Sequence, residues 1–169
     1  MSIERLRAIM VALRDPERGC PWDREQTWSS IAPHTLEEAF ELADAIEHGD
    51  ALHVRDELGD LLFQVVFQAR IAEEQGLFDL DAVAAAISDK LERRHPHVFG
   101  TATVRSADEQ TRAWEEHKAA ERQAAGGEGG ALDGIALGLP ALTRAAKLGK
   151  RAAGVRFDWI NANDALFDF

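Results

Sequence analysis

The segment Leu61-Leu62-Phe63-Gln64-Val65-Val66-Phe67 most limits what this chain can become. It lies inside a helical pattern expected from about Ala51 to Gln75 and stopped by Gly76, and it is apolar almost all round. A helix with no solvated face has to be covered on every side. In a chain of 169 residues that points to a bundle core continuing into a second copy. No stretch shows the period-two alternation of a strand. The expected fold class is all-α, a helical bundle completed by homodimerisation.

Acidic residues precede that apolar run in a pattern of their own. Glu38 and Glu41 form one pair, Glu57 and Asp60 another, each at i,i+3 spacing within a segment that reads as helix. This spacing puts both carboxylates of a pair on one helical face. His48-Gly49-Asp50 between the two segments lets the helices fold back and bring the faces together. Four carboxylates at one place repel unless a cation neutralises them. An oxygen-only donor set suits a hard divalent ion, chiefly Mg2+, with Mn2+ as a substitute.

Other readings compete. Glutamate is a good helix former, and most Glu-Glu-x-x-Glu runs such as Glu37, Glu38 and Glu41 merely decorate a solvated face. Asp60 adjoins Leu61 and Leu62, so part of this acidic face is expected against the core, where an unpaired carboxylate is costly. A salt-bridge network involving Arg55 would also neutralise it. A di-iron bundle needs Glu-x-x-His on facing helices, and neither acidic pair supplies the histidine.

Along the rest of the chain, Ile3, Leu6, Ile9, Met10 and Leu13 form a helical stripe, broken by Asp15 to Asp23 with two prolines and a glycine. Thr35 is the expected N-cap of the first acidic helix, with Glu38 as capping-box partner. That would leave Trp22, Trp28 and His34 in the preceding loop. There Trp22 and Trp28 either pin the loop to the core or stack on a nucleobase. A further helix is expected from Asp79 or Asp81 to before His95-Pro96, and a polar one over 106–123 anchored by Trp114. Lys90, Arg93 and Arg94 gather at a helix C-terminus. Dipole complementarity explains that cluster; so does phosphate binding. A glycine-rich linker over 124–131 precedes a basic helix from Pro140 to Ala153. The domains are therefore read as 1–123, linker 124–131 and a helical extension 132–169.

The net charge of −11 argues against nucleic acid or anionic membrane as a partner. With a lone Cys20, no signal-like N-terminus and no apolar run long enough for a bilayer, the expected location is the cytoplasm.

Four ordered blocks carry a resemblance: Cys20-Pro21-Trp22-Asp23-Arg24-Glu25-Gln26-Thr27, Leu36-Glu37-Glu38-Ala39-Phe40-Glu41, Asp56 to Phe67, and Lys90 to Phe99. Together they closely resemble the MazG family of nucleoside triphosphate pyrophosphohydrolases over nearly the whole chain. The resemblance implies an obligately dimeric all-α bundle that hydrolyses nucleoside triphosphates, noncanonical ones included, to monophosphate and pyrophosphate with Mg2+. It implies Glu38, Glu41, Glu57 and Asp60 as metal ligands, Glu37 and Glu38 as catalytic, and Lys90, Arg93 and Arg94 as phosphate-facing. Trp28 and His34 stand where the family pattern has a histidine and a tyrosine. Long relatives carry two modules, and Val155-Arg156-Phe157-Asp158-Trp159 resembles the opening of a second. A non-catalytic dimerisation or nucleotide-sensing module is the competing expectation.

Overall fold

A computed structural model describes residues 3–101, 106, 109–111, 113, 114, 120, 121, 130–155 and 157, and among them there is no strand. The first of two compact units, Met1–Thr101, contains α1 (Ile3–Leu13), α2 (Pro21–Glu25), α3 (Trp28–His48), α4 (Ala51–Glu74), α5 (Leu80–Arg94) and α6 (Pro96–Phe99). The second, Ala102–Phe169, contains α7 (Ala141–Gly154). The boundary between units falls before the glycine-rich run 124–131, of which 124–129 lie outside the described residues. Of the helix expected over 106–123, residues 109–111, 113, 114, 120 and 121 are helical, and the tail 158–169 lies outside the described residues. Among the described residues no helix is long and apolar enough to cross a membrane.

The centre of the first unit is the hairpin of α3 and α4. Gly49, at φ 73°, ends α3 in the left-handed conformation that a glycine adopts without strain, and its N–H donates to the carbonyls of Ala45 and Ile46. Asp50 then caps α4 by accepting from the backbone N–H of Leu52 and His53. A reversal this short forces the two helices antiparallel. Two cross-links fix their register: Trp28 Nε1–H donates to the Gln68 carbonyl at 3.0 Å, and Gln68 Nε2–H to Thr35 Oγ1 at 2.8 Å.

The start of α3 departs from the sequence expectation. The helix begins at Trp28, so Thr35, Trp28 and His34 lie within it. Thr27 is the N-cap: its hydroxyl accepts from Ser30 N–H, and Ser30 Oγ accepts from Thr27 N–H at 2.8 Å. A serine thus completes the capping box in place of the Glu38 paired with Thr35 in the sequence reading. Pro33 lies inside α3. One lost N–H near a well-capped end is tolerable when the flanking helix is held by packing. The segment before α3 also contains a short helix, α2, with Pro21 in its first turn, where a missing N–H costs nothing.

The core of this unit is small. Met10, Ile31, Val66, Phe67 and Ile71 are buried together, with Ile3, Leu6, Leu13, Phe63 and Leu80 packed around them. Arg14 ties the end of α1 into this core. Its guanidinium donates to both Glu74 oxygens and to the carbonyls of Asp23 and Gln26, and it lies 5.4 Å over the Phe67 ring. Burial would raise the Glu74 carboxyl, but the Arg14 and Arg70 guanidiniums outweigh it and hold that group below its ordinary value.

The apolar middle of α4 is only half covered. Val66 and Phe67 are buried, whereas Leu62 is 44% and Val65 40% exposed. Leu36, Phe40 and Leu58 on the same hairpin are more than half exposed. One copy of the chain therefore leaves open the side of α4 that its sequence demands be covered.

Candidate metal centre

The hairpin that builds the core also carries the acidic residues. Glu38 and Glu41 sit on consecutive turns of α3, and Glu57 and Asp60 in the first half of α4. Antiparallel pairing brings the two faces together. One carboxylate oxygen each from Glu38, Glu41 and Glu57 lies within 4.8 Å of the others. Asp60 joins them electrostatically. The Glu38 carboxyl is raised above its ordinary value first by burial and then by Asp60, Glu41, Glu57 and Glu37, in that order.

The basic partner that could have made this a structural salt-bridge network is engaged elsewhere. Arg55 pairs with the adjacent Asp56 through Oδ1 at 2.7 Å. Among the described residues no arginine or lysine pairs with Glu38, Glu41 or Asp60. Glu57 receives a single contact, from His53 Nε2 to Oε1 at 3.0 Å. Its other oxygen, Oε2, is buried with no hydrogen-bond partner. A buried, unpaired carboxylate oxygen beside other carboxylates is a costly arrangement that a divalent cation would relieve. Three hard oxygen donors, a fourth carboxylate close by and an orphaned oxygen fit Mg2+ or Mn2+.

The remaining sequence candidates are distributed more widely. Glu37 lies beside the cluster and faces His34, with Nδ1 to Oε2 at 3.5 Å. Trp22 is half exposed and meets the His34 ring edge-on, at 5.9 Å between centroids. Trp22, His34 and Glu37 thus form a chain leading from α2 to the acidic face. Trp28 is oriented otherwise. It stacks on Phe78, with centroids 6.1 Å apart, and its N–H is occupied by the Gln68 carbonyl. Lys90, Arg93 and Arg94 occupy the last turns of α5, and no ion pair joins them to the acidic quartet. A cleft of about 600 Å³ between Arg14, Pro16, Pro21, Arg24, Glu25, Arg70 and Glu74 lies at the other end of α4. From Asp60 to Glu74 the helix advances about 21 Å. Arg14 and Arg70 there already bind Glu74.

Residues 26–99 match the family model of the MazG nucleotide pyrophosphohydrolase domain, a span that includes all four acidic residues. They are a MazG domain. A nucleoside triphosphate pyrophosphohydrolase of Escherichia coli K12 is 56% identical over 158 residues, 94% of this chain and 60% of the relative. The nucleoside triphosphate pyrophosphohydrolase/pyrophosphatase MazG of Thermotoga maritima is 41% identical over 92% of this chain and 58% of its own length. The chain thus spans about 60% of the length of these relatives. A solved MazG-related protein of Thermotoga maritima superposes with a TM-score of 0.55 at 26% identity, covering 69% of this chain and 98% of that one. The matched span contains the whole acidic hairpin, and with it the candidate centre.

His53 was not singled out by the sequence reading. Its i,i+4 spacing to Glu57 was the available signal. By itself that signal is weak, since an i,i+4 acid–histidine pair also occurs on the exposed end of α3, between Asp44 and His48.

Proposed function

We propose that this chain hydrolyses nucleoside triphosphates to nucleoside monophosphate and pyrophosphate with Mg2+ held by Glu38, Glu41, Glu57 and Asp60. The observation that carries this reading is the convergence of one oxygen each from Glu38, Glu41 and Glu57 within 4.8 Å of one another, with Glu57 Oε2 buried and unpartnered. When bound, the cation would neutralise the polyphosphate and lower the pKa of an attacking water. Ground-state binding of a triphosphate to so acidic a face is otherwise repulsive. The protein's own contribution is position: α3 and α4 hold the carboxylates on a capped, antiparallel hairpin, so Glu38, Glu41 and Glu57 converge without rearrangement. Glu37, beside the ligands and contacted by His34, is placed to orient the water. The positive ends of Lys90, Arg93 and Arg94 would meet the phosphates. Trp22 offers an open aromatic face for the base, and Trp28 acts by securing α3 to α4.

The same reading makes the working unit a homodimer, or a higher homo-oligomer. Leu62 and Val65, with Leu36, Phe40 and Leu58 nearby on the hairpin, leave an apolar surface that a second copy would cover. Light scattering is expected to give at least twice the chain mass. Leu62→Glu should weaken self-association by about 100-fold or more and leave helicity intact, because a buried carboxylate without a partner is strongly unfavourable. A native chain that runs as a monomer at micromolar concentration would remove the dimer from this account.

Turnover is tested with a panel of NTPs and dNTPs, read out as pyrophosphate release. Equimolar monophosphate and pyrophosphate are expected with Mg2+ or Mn2+, and none with a chelator present. Calorimetry with a nonhydrolysable nucleotide plus Mg2+ separates the enzyme from a nucleotide-sensing module. Binding without turnover of any standard nucleotide would decide for the sensor.

A further inference from the structure

We infer that His53 is a positioning residue for Glu57, holding that carboxylate in the orientation a cation needs. The role rests on the reading of the acidic quartet as a divalent metal centre. His53 Nε2 lies 3.0 Å from Glu57 Oε1, and the Glu57 side chain is only 14% exposed. This nitrogen carries a proton in the imidazolium and in the neutral Nε2–H tautomer, so in either state the ring would donate to Glu57 Oε1 once ring and carboxylate align. The terminal torsion of a glutamate is soft. A donor fixed on one oxygen sets the plane of the carboxylate and thereby the direction of the other. Here the other oxygen is the buried, unpartnered Oε2.

Helix stabilisation does not account for this pair. His53 is in the first turn of α4, directly after the Asp50 cap, and Glu57 lies one turn further in. Anions are favoured at a helix N-terminus and cations at the C-terminus, so a base preceding an acid is the weaker order. His48 and Asp44 at the end of α3 show the favourable order. There the acid precedes the histidine in the last turn, and both side chains are about 70% exposed, as a surface helix pair should be. In the His53 pair the acid side chain is only 14% exposed and the order is reversed. Outer donors that orient ligating carboxylates commonly contribute 10–100-fold to metal affinity.

The test uses Mn2+ as probe on the purified full chain, with binding followed by electron paramagnetic resonance and helicity by circular dichroism. Native chain should bind Mn2+, and Glu57→Gln should bind it far more weakly. His53→Ala should lose about 10-fold or more in affinity, and His53→Gln, which retains an N–H donor, should recover part of that loss. In turnover assays the Mg2+ concentration for half-saturation should rise in His53→Ala, with the rate approaching native at saturating Mg2+. Should His53→Ala lose helicity, His53→Leu fills the same space without a donor and replaces it in the comparison. Native affinity in a folded Ala or Leu variant overturns the role of His53 and leaves the metal centre standing. Failure of the native chain to bind Mn2+ overturns the centre itself, and this role with it.

Discussion

Replacing Glu38 with glutamine is expected to lower the rate of pyrophosphate release by on the order of 10³-fold, or ~4 kcal/mol of transition-state stabilisation. Glutamine keeps the length and shape of the side chain, so α3 should be unchanged, but it removes one of the three converging charges. A second effect of opposite sign should accompany the loss. In the ion-free chain the Glu38 carboxyl is raised by burial, then by Asp60, Glu41, Glu57 and Glu37. The folded state therefore holds this proton more tightly than the unfolded state. The sign follows: stability falls as pH rises from the unfolded pKa through the higher folded one, and above both the ionised carboxylate is a net cost to folding. Glu38→Gln is without that cost. At neutral pH, without divalent ions, it should melt at a higher temperature than the native chain. Mg2+ should then stabilise the native chain more than the variant. Lost turnover with gained ion-free stability cannot come from general unfolding. A variant retaining turnover within about threefold of native would remove Glu38 from the centre.

Phe67→Ala is expected to destabilise the fold by about 3–5 kcal/mol, against a total of about 5–15 for a domain of ordinary stability. Phe67 is fully buried among Met10, Ile31, Val66 and Ile71, and it meets the Phe63 ring edge-on at 5.7 Å. With so few fully buried side chains, little neighbouring mass is available to fill the cavity. The ring also lies beneath the Arg14 guanidinium. Its loss therefore loosens the ion pair to Glu74 that ties α1 to α4. Phe67→Leu, which keeps most of the volume, should cost about 1–1.5 kcal/mol. Urea unfolding at one fixed protein concentration measures both, since self-association would add a concentration-dependent term. A cost under about 1 kcal/mol for Phe67→Ala would show that the core lies elsewhere. Because Phe67 is two turns beyond Asp60 on α4, such a variant should also lose metal affinity near its melting range.

The helices that carry strong periodicity were legible in the sequence almost to the residue. The chain from Ile3 to Leu13, the helix opening after Asp50 and the one opening at Asp79 all appear as expected. Their caps and breakers act locally, and a local signal can be read from local residues. The start of α3 could not be read in the same way. Pro33 argues against a helix, and only packing against α4, through Trp28, Ile31 and Thr35, makes the longer helix the better solution. Trp28 shows the same limit: as an isolated aromatic it is equally suited to base or core, and its stacking on Phe78 is a tertiary fact.

For the candidate centre, sequence alone determined which carboxylates share a face, because i,i+3 spacing on a helix is fixed by backbone geometry. It also determined that two such faces are joined by a reversal at Gly49. Only the tertiary structure decided that three of those carboxylates meet, that Arg55 turns to Asp56 and that Glu57 Oε2 is buried alone. Convergence and desolvation depend on how helices pack, and packing is set by contacts far apart in the chain.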